Sequence, residues 1–319
     1  MRPKFSASLI LMYLIISIPN TLHSQNANDK KILWTADWSP NGKYIAIAGN
    51  TDTLVIYHSE SMKIFKRVPF KSTITRVKWH PNKNVLAITS QNSLDKSSIL
   101  NIDTDTKIEL EGVSTDGARG MDWDESGQYL VIGDNDGKIS IFDINGKLIR
   151  TFHHENTKSI TGLDWHPSKD IIVTVGDKIR LFNTQGLLIK TIKHRPEDVL
   201  ILSVAWHPSG DTFVTGDYGA SKDKSLLQYW DQNGELIKSL DISKGEYRNM
   251  VWNKRGDRLA TASDALRIWD RTGTLRHVGT SPDYLWGLSW SPRSKKIITS
   301  SIQQQISIWD NKARNILSI

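Results

Sequence analysis

The sequence predicts an all-β fold made of seven copies of one four-stranded antiparallel sheet. A tryptophan-centred motif recurs along the chain at Trp38, Trp79, Trp123, Trp165, Trp206, Trp252 and Trp290. The intervals between these anchor tryptophans are 41, 44, 42, 41, 46 and 38 residues. Each unit holds short β-branched runs between turn residues, and no segment has helical periodicity. One such sheet cannot bury both faces, but seven packed around an axis can, so the predicted fold is a seven-bladed β-propeller.

The first half of each unit is predicted to be two strands joined by a tight turn. Strand a ends at the anchor tryptophan, and the apolar residue two positions earlier faces the same side because side chains alternate along a strand. Pro, Asn, Ser and Gly then form the turn, as in "WSPNG" at residues 38–42. Strand b follows as a β-branched run, for example "YIAIAG" at 44–49 and "IIVTVG" at 171–176.

The second half of each unit ends strand c on a pair of residues, usually an aromatic residue followed by a polar one. Three of these pairs are Trp-Asp, at residues 230–231, 269–270 and 309–310. The other four are degenerate: Tyr57-His58, Ile102-Asp103, Phe142-Asp143 and Phe182-Asn183. Strand d comes after a further turn and reads "GKLIRTF", "GLLIKTI" or "GELIKSL". Each blade is therefore expected to contain strands a, b, c and d in chain order, counted outward from the channel.

With this repeat length and these Trp-Asp pairs, the chain from Lys31 to Ile319 resembles the WD40-repeat family of β-propellers. The family's Gly-His before strand a is missing throughout, and His154 and His194 lie in roughly that region. The resemblance implies a non-catalytic scaffold whose faces bind proteins or peptides.

The propeller is predicted to span residues 32–319 and to close without a strand from the N-terminus. Blade 1 supplies its own four strands over residues 32–68, and blade 7 ends with "RNILSI" at 314–319. Residues 25–31 are a short polar linker, and 25–30 are too polar to donate a strand. Blade 7 should therefore pack directly on blade 1.

The first 24 residues have the pattern of a secretory signal. Arg2 and Lys4 precede the apolar run "ASLILMYLIISI" at 7–18, and polar sequence begins near Gln25. This run is shorter than the roughly 20 residues that span a bilayer. We expect export to the periplasm or cell envelope of a Gram-negative-type bacterium, with no integral membrane segment after cleavage.

Composition argues against several classes of function. The chain has no cysteine, which removes disulfides, thiolate nucleophiles and Cys-ligated metals. The formal charge is +7, and removal of Arg2 and Lys4 with the signal leaves +5. No basic stripe is present, which argues against nucleic acid as the partner. No G-x-S-x-G, P-loop or H-E-x-x-H motif occurs.

Three histidines occupy matched positions immediately after an anchor tryptophan: His80, His166 and His207. They lie one per blade in equivalent turns, and neighbouring sheets pack about 10 Å apart, whereas zinc holds each nitrogen at about 2 Å. We interpret them as turn residues of the repeat, and we expect no metal and no other cofactor.

Two of the 12 tryptophans have no role in the repeat. Seven end strand a and three belong to Trp-Asp pairs, which leaves Trp34 and Trp286, each four residues before an anchor. In an antiparallel blade this position rims the channel on the face that carries the d–a and b–c loops. Across the seven blades it reads Trp34, Thr75, Arg119, Thr161, Leu202, Arg248 and Trp286.

Ring closure predicts that Trp34 and Trp286 meet, with Arg248 beside them. Trp, Tyr and Arg are the residues that dominate binding hot spots. The predicted partner-binding residues are Trp34, Arg119, Leu202, Tyr218, Tyr247, Arg248, Tyr284 and Trp286. They are expected to grip an extended peptide or loop of a protein partner, with an acidic or aromatic residue over Arg248. A second interpretation is that the two indoles only pack against the loops before strand a.

Two further functions stay open from the sequence. One is an exported propeller enzyme of the hydrolase or lactonase type, and the other is a lectin-like sugar binder with aromatic platforms. An enzyme predicts converging acidic or histidine side chains at the channel mouth, whereas a binder predicts aromatic and basic ones. The channel-rim residues favour a protein binder, acting as a monomer or as a subunit of a larger envelope complex.

Export predicts a mature N-terminus near Gln25. Sequencing the N-terminus of protein from its native source should find a start near this residue, because the signal is removed on translocation. An intact Met1 on protein recovered from the cytosolic fraction would contradict the prediction.

Overall fold

The structure is a computed structural model that describes residues 31–91, 94–154, 159–220 and 224–319. Lys31–Ile319 form one compact unit of seven four-stranded antiparallel sheets. The predicted signal at 1–24, and the expectation that residues 25–30 donate no strand, lie outside the described residues. In the described part of the chain, no helix has the length and apolar character needed to cross a membrane.

Seven blades each contribute four strands, and every strand a ends at its anchor tryptophan. Strand a of blades 1 to 7 is β1 Leu33–Trp38, β5 Thr73–Trp79, β9 Ala118–Trp123, β13 Gly162–Trp165, β17 Ile201–Trp206, β21 Asn249–Trp252 and β25 Leu285–Trp290. Strand b is β2 Tyr44–Gly49, β6 Val85–Gln91, β10 Tyr129–Asp134, β14 Ile171–Val175, β18 Thr212–Asp217, β22 Arg258–Ala262 and β26 Lys296–Ser301. Strand c is β3 Thr53–His58, β7 Ser98–Asn101, β11 Lys138–Asp143, β15 Ile179–Asn183, β19 Ser225–Asp231, β23 Ala265–Asp270 and β27 Ile306–Asp310. Strand d is β4 Ile64–Pro69, β8 Thr106–Glu109, β12 Leu148–His153, β16 Leu188–Ile192, β20 Leu236–Ser243, β24 Leu275–Thr280 and β28 Asn315–Ser318.

The strand order in every sheet follows the chain, from a through b and c to d. Strand a of each blade contacts strand a of the next around the whole ring, including β25 of blade 7 against β1 of blade 1. The prediction of a seven-bladed β-propeller with four antiparallel strands per blade is therefore confirmed.

The hydrophobic core lies between blades rather than within them. One cluster joins Leu54 and Ile56 of blade 1 to Ile74 and Leu86 of blade 2. Strand b is buried along almost its whole length because neighbouring blades cover both of its faces, which explains its uninterrupted β-branched runs. Strand d is largely exposed, as expected for the outer edge of each blade.

The residue pair at the end of strand c has two separate structural roles. In blade 4, the Asn183 side-chain oxygen accepts the N–H groups of Gln185 at 3.0 Å and Leu187 at 2.8 Å, which closes the c–d turn. Asp143, Asp231, Asp270 and Asp310 close the equivalent turns in the same way. The tryptophan of each Trp-Asp pair donates its indole N–H at 2.8–3.0 Å to a threonine of strand b, Thr215, Thr261 or Thr299.

The two histidines that precede strand a join buried hydrogen bonds in their blades. His194 is 3.1 Å from Thr215 Oγ1 and 3.2 Å from Asp217 Oδ2. His154 is 2.8 Å from the hydroxyl of Thr174. Burial lowers the pKa of both histidines. Blades 4 and 5 thus contain buried histidine networks without the Gly-His of the family pattern.

The three turn histidines tie neighbouring blades together. Each Nε2 lies 2.8–3.0 Å from a glycine carbonyl in the next blade: His80 from Gly127, His166 from Gly210 and His207 from Gly256. Each Nδ1 accepts a backbone N–H within its own turn, so the rings carry their proton on Nε2. A Cβ on any of the three glycines would come within 2.2–2.5 Å of the imidazole, which explains why these positions are glycine. Among the described residues, no group of three or more potential ligands is placed to hold a metal ion.

Each turn histidine also covers the anchor tryptophan of the following blade. The ring of His166 lies 4.6 Å from that of Trp206, which is only 4% exposed, as expected for a residue between blades. Trp165 differs, because the structure leaves it half-buried. The preceding blade carries Asp124 at the position of the histidine.

Trp206→Ala should lower the free energy of unfolding by about 3–5 kcal/mol, because it leaves a cavity between two blades. Trp165→Ala is the matched control and should cost less than about 2 kcal/mol, because part of this indole already meets water. Urea unfolding of the two variants measures both values. Equal losses, or a loss below about 1 kcal/mol for Trp206→Ala, would show that the packing register is wrong.

Candidate functional site

Ring closure brings the two unassigned tryptophans together. Ser289 Oγ of blade 7 accepts the N–H of Trp38 at 3.1 Å, and Ser300 donates to the carbonyl of Leu33 at 3.1 Å. These bonds hold blade 7 against blade 1. The rings of Trp34 and Trp286 then meet edge to face, with centroids 5.1 Å apart and an interplanar angle of 86°. Such a pair contributes about 0.5–1.5 kcal/mol beyond its buried area.

A guanidinium group lies against each of these indoles. The Cζ atom of Arg248 is 4.3 Å from the centroid of Trp286, and that of Arg119 is 5.1 Å from the centroid of Trp34. Arg248 is also 6.0 Å from the ring of Tyr218. Cation–π contacts of this kind contribute about 0.5–2 kcal/mol each. We refer to Trp34, Arg119, Arg248 and Trp286 as the Trp–Arg cluster.

The two arginines of the cluster differ in how their charge is compensated. Glu246 accepts hydrogen bonds from Arg248, with Nε and Nη2 each 3.0 Å from Oε1. Arg119 has no carboxylate partner within the described residues, and its buried Nε has no hydrogen-bond partner there either. Burial, together with the nearby charges of Arg248 and Arg76, lowers the pKa of Arg119 to about 10. Arg119 still carries its charge at neutral pH.

The other predicted contact residues divide by exposure. Tyr284 is 38% exposed and lies over Gly245, where a Cβ would come 2.4 Å from its ring. Tyr218 is half-buried beside Arg248. Tyr247 is 0% exposed and lies in the core between blades, so it cannot contact a partner, which corrects the prediction for this residue. Leu202 and Trp286 are also buried, at 4% and 6% exposed.

The burial of Leu202 and Tyr247 has a structural reason. Side chains alternate along an extended chain, so when Arg248 faces the mouth its neighbour Tyr247 turns into the core between blades 5 and 6. Leu202 occupies the channel-rim position of blade 5, but as an apolar side chain it packs inward. Thr75 and Thr161 at this position donate their hydroxyls to carbonyls of the next blade. The rim position therefore faces the mouth in some blades and closes blade interfaces in others.

The channel opens toward the opposite face as a cavity of 610 Å³. Its wall includes four charged side chains that each directly precede an anchor tryptophan: Asp37, Lys78, Asp122 and Asp164. Five anchor tryptophans also line it: Trp79, Trp123, Trp165, Trp206 and Trp252. This acidic mouth was not predicted from the sequence. The recurrence of Asp before the anchor in three blades is the signal that could have revealed it.

The aspartates of the acidic mouth hydrogen-bond to the next blade. One carboxylate oxygen of each accepts the backbone N–H of the next anchor: Asp37 from Trp79 at 2.8 Å, Asp122 from Trp165 at 3.0 Å and Asp164 from Trp206 at 2.6 Å. Lys78 also binds Asp122 at 2.7 Å. Burial raises the pKa of Asp164, and the neighbouring Asp122 raises it further.

The comparisons with known proteins agree with this architecture. The model of the WDR19 first beta-propeller matches residues 34–202, more than half of the chain. The model of the WD domain, G-beta repeat, matches residues 186–229 and 269–310.

The chain belongs to the WD40-repeat family. Among its curated relatives, Retinoblastoma-binding protein homolog 5 of Caenorhabditis elegans is 23% identical over 77% of this chain and 58% of its own length. Eukaryotic translation initiation factor 3 subunit I of Botryotinia fuckeliana is 25% identical over 60% of this chain and 61% of its own length. Intraflagellar transport protein 80 homolog of Mus musculus is 23% identical over 47% of this chain and 19% of its own length. The chain thus spans less than two thirds of these WD40 relatives, all of which are eukaryotic.

Proposed function

We propose that this WD40 chain is a non-catalytic protein-interaction scaffold that binds an extended peptide or loop at the Trp–Arg cluster. The observation that carries the proposal is the meeting of Trp34 and Trp286 with an arginine against each ring. The repeat uses its other ten tryptophans as anchors or in Trp-Asp pairs and has no need of these two. Aromatic and arginine side chains gathered at a mouth are the composition of a protein-binding hot spot.

Aromatic surface at this mouth supports binding of a peptide. Tyr284 is 38% exposed and would offer an extended peptide a flanking ring, and Trp34 is half-buried. The indole N–H groups of Trp34 and Trp286 are buried without an acceptor among the described residues, but so are those of the anchors Trp206 and Trp252. The unpaired donors therefore do not distinguish the cluster, and the proposal depends on its aromatic and arginine side chains.

The names of the relatives support a protein partner. One relative is named as a retinoblastoma-binding protein, one as a subunit of translation initiation factor 3 and one as a subunit of the anaphase-promoting complex. Binding proteins and complex subunits are the roles expected of a scaffold. We further propose that the chain works in the periplasm or cell envelope, on the basis of the signal-like residues 1–24.

The acidic mouth is the feature that the enzyme alternative would require. Three carboxylates converge there, and the charge of Asp122 helps to raise the pKa of Asp164. Each carboxylate, however, uses one oxygen to accept a hydrogen bond from a backbone N–H of the neighbouring blade. We therefore assign these aspartates to blade packing, and we favour the scaffold over the hydrolase. The lectin alternative has less support, because the two indoles of the Trp–Arg cluster pack edge to face on each other with a guanidinium against each ring, rather than presenting a free ring face on which a sugar could stack.

Trp34→Ala combined with Trp286→Ala should abolish capture of the partner, because both indoles and the ring contacts that position Arg119 and Arg248 are lost. The measurement is affinity purification from envelope extract of the native source, with mass spectrometry of the co-eluting proteins. Trp165→Ala is the matched control, since it removes a half-buried tryptophan from the opposite mouth. A double variant that folds normally and still captures the same proteins would refute the proposed site.

A further inference from the structure

The distribution of charge within the Trp–Arg cluster indicates which chemical class of ligand it would bind. Three guanidinium groups lie near this mouth, on Arg76, Arg119 and Arg248. Among the described residues, the only carboxylate in direct salt-bridge contact with any of them is Glu246, and it binds Arg248. The charge of Arg119 is therefore the one whose compensation has to be explained.

Arg76 is compensated from the other side of the channel. Its Nε donates to the carbonyl of Arg119 at 3.1 Å, and its charge faces Asp37 and Asp164 in the acidic mouth. Arg248 is compensated by Glu246, so it has no need of an acidic ligand. The acidic residue of the partner that was expected over Arg248 is therefore expected over Arg119 instead. One positive charge, that of Arg119, is left over.

A cation–π contact does not replace a counter-ion for Arg119. Its stabilisation of about 0.5–2 kcal/mol does not neutralise the charge, and the half-buried guanidinium has lost part of its contact with water. The Nε group is buried and unpaired within the described residues, and the two neighbouring charges that lower the pKa of Arg119, those of Arg248 and Arg76, are both positive. A carboxylate matches the planar fork of a guanidinium with two parallel hydrogen bonds. A monoanion also neutralises the single leftover charge, whereas a phosphate dianion would exceed it.

We propose that Arg119 binds one carboxylate of the partner peptide, either an Asp or Glu side chain or the C-terminal carboxylate, beside the ring of Trp34. This inference rests on the proposed function, because it names the ligand chemistry of the same cluster. Trp34 and Tyr284 then contact the residues on either side of the carboxylate, and Arg248 serves to position Trp286.

The test uses peptides selected from a phage-displayed random library on the wild-type chain, after subtraction on the Trp34→Ala/Trp286→Ala variant. A selected peptide is synthesised in three forms: unaltered, with each Asp or Glu replaced by Asn or Gln, and with an amidated C-terminus. Isothermal titration calorimetry then measures each form against wild type, Arg119→Met and Arg248→Met. Methionine keeps the apolar stem against the indole while it removes the charge.

The expected result is that removal of one carboxylate weakens binding to wild type on the order of 10- to 100-fold. The same removal should change binding to Arg119→Met by less than about twofold, because the partner group is already gone. With Arg248→Met, removal of the carboxylate should keep its full effect. The side-chain and amidated peptides show which of the two sources supplies the carboxylate.

Several outcomes would overturn the inference. Selected peptides that require Trp34 and Trp286 but no carboxylate would refute it and leave the proposed function standing. If Arg248→Met, rather than Arg119→Met, removed the effect of the carboxylate, Arg248 would be its partner and the inference would be wrong. Displacement of the peptide by inorganic phosphate at a much lower concentration than by acetate would show that the site prefers a phosphoryl group. If no peptide survives the subtraction, the proposed function itself fails.

The stability of the free variant separates a ligand-binding role from a structural one. Arg119→Met removes a half-buried charge that has no counter-ion among the described residues, so its thermal midpoint should stay at or above that of wild type. A structural role predicts a lower midpoint. Arg119→Lys keeps the charge without the planar fork, so it should bind the unaltered peptide with an intermediate affinity. Full affinity in Arg119→Lys would argue against a two-bond contact.

Discussion

The inner edge of strand a is the constraint on which the rest of this structure depends. Each strand a pairs with strand b on one side only, so its other edge exposes N–H and C=O groups along the channel. Unpaired edges of this kind invite aggregation and are costly when buried. Here the next blade supplies the partners: Thr35 accepts from the N–H of Val77 at 3.1 Å, and Asp37 accepts from that of Trp79 at 2.8 Å. Hydrogen bonds between blades thus satisfy backbone groups at the inner edge of strand a, as strand pairing satisfies them within each blade.

This arrangement fixes the register between neighbouring blades and so determines what gathers at each mouth. Near the anchors, aspartates are used to accept backbone N–H groups, which makes that mouth acidic. At the other end, hydroxyl groups donate to carbonyls, as Ser203 does to Tyr247 at 2.7 Å. Among the described residues, the side chains of Trp34 and Arg119 take no part in these hydrogen bonds between blades. They contact each other instead, and the closure of blade 7 on blade 1 places Trp286 against Trp34.

The features that could be predicted from the sequence are those set by local repetition. Seven anchors at regular spacing determine seven blades, and the Asp after Trp230 or Trp269 marks a turn that the structure closes through that carboxylate. The contact between Trp34 and Trp286 could also be predicted from the sequence, because it depends only on the strand register and on closure of the ring.

The features that could not be predicted depend on contacts between blades. Whether Tyr247 faces the mouth or the core depends on how blades 5 and 6 pack. Trp165 is half-buried whereas Trp206 at the same position is buried, and this difference also depends on how neighbouring blades pack. The sequence also singled out Arg248, because it could not show that Glu246, two residues away, folds back to neutralise it. That Arg119 has no counter-ion among the described residues could be recognised only from the positions of its neighbours.

The central claim is that partners bind at the Trp–Arg cluster rather than at the acidic mouth. Two tyrosines of almost equal exposure allow a direct comparison: Tyr284 beside the cluster is 38% exposed, and Tyr129, which follows the a–b turn on the opposite face, is 39% exposed. Each would be replaced by the photo-cross-linker p-benzoylphenylalanine and irradiated in envelope extract of the native source. The account predicts a cross-linked partner from position 284 and none from position 129. A partner cross-linked from position 129 alone would contradict it.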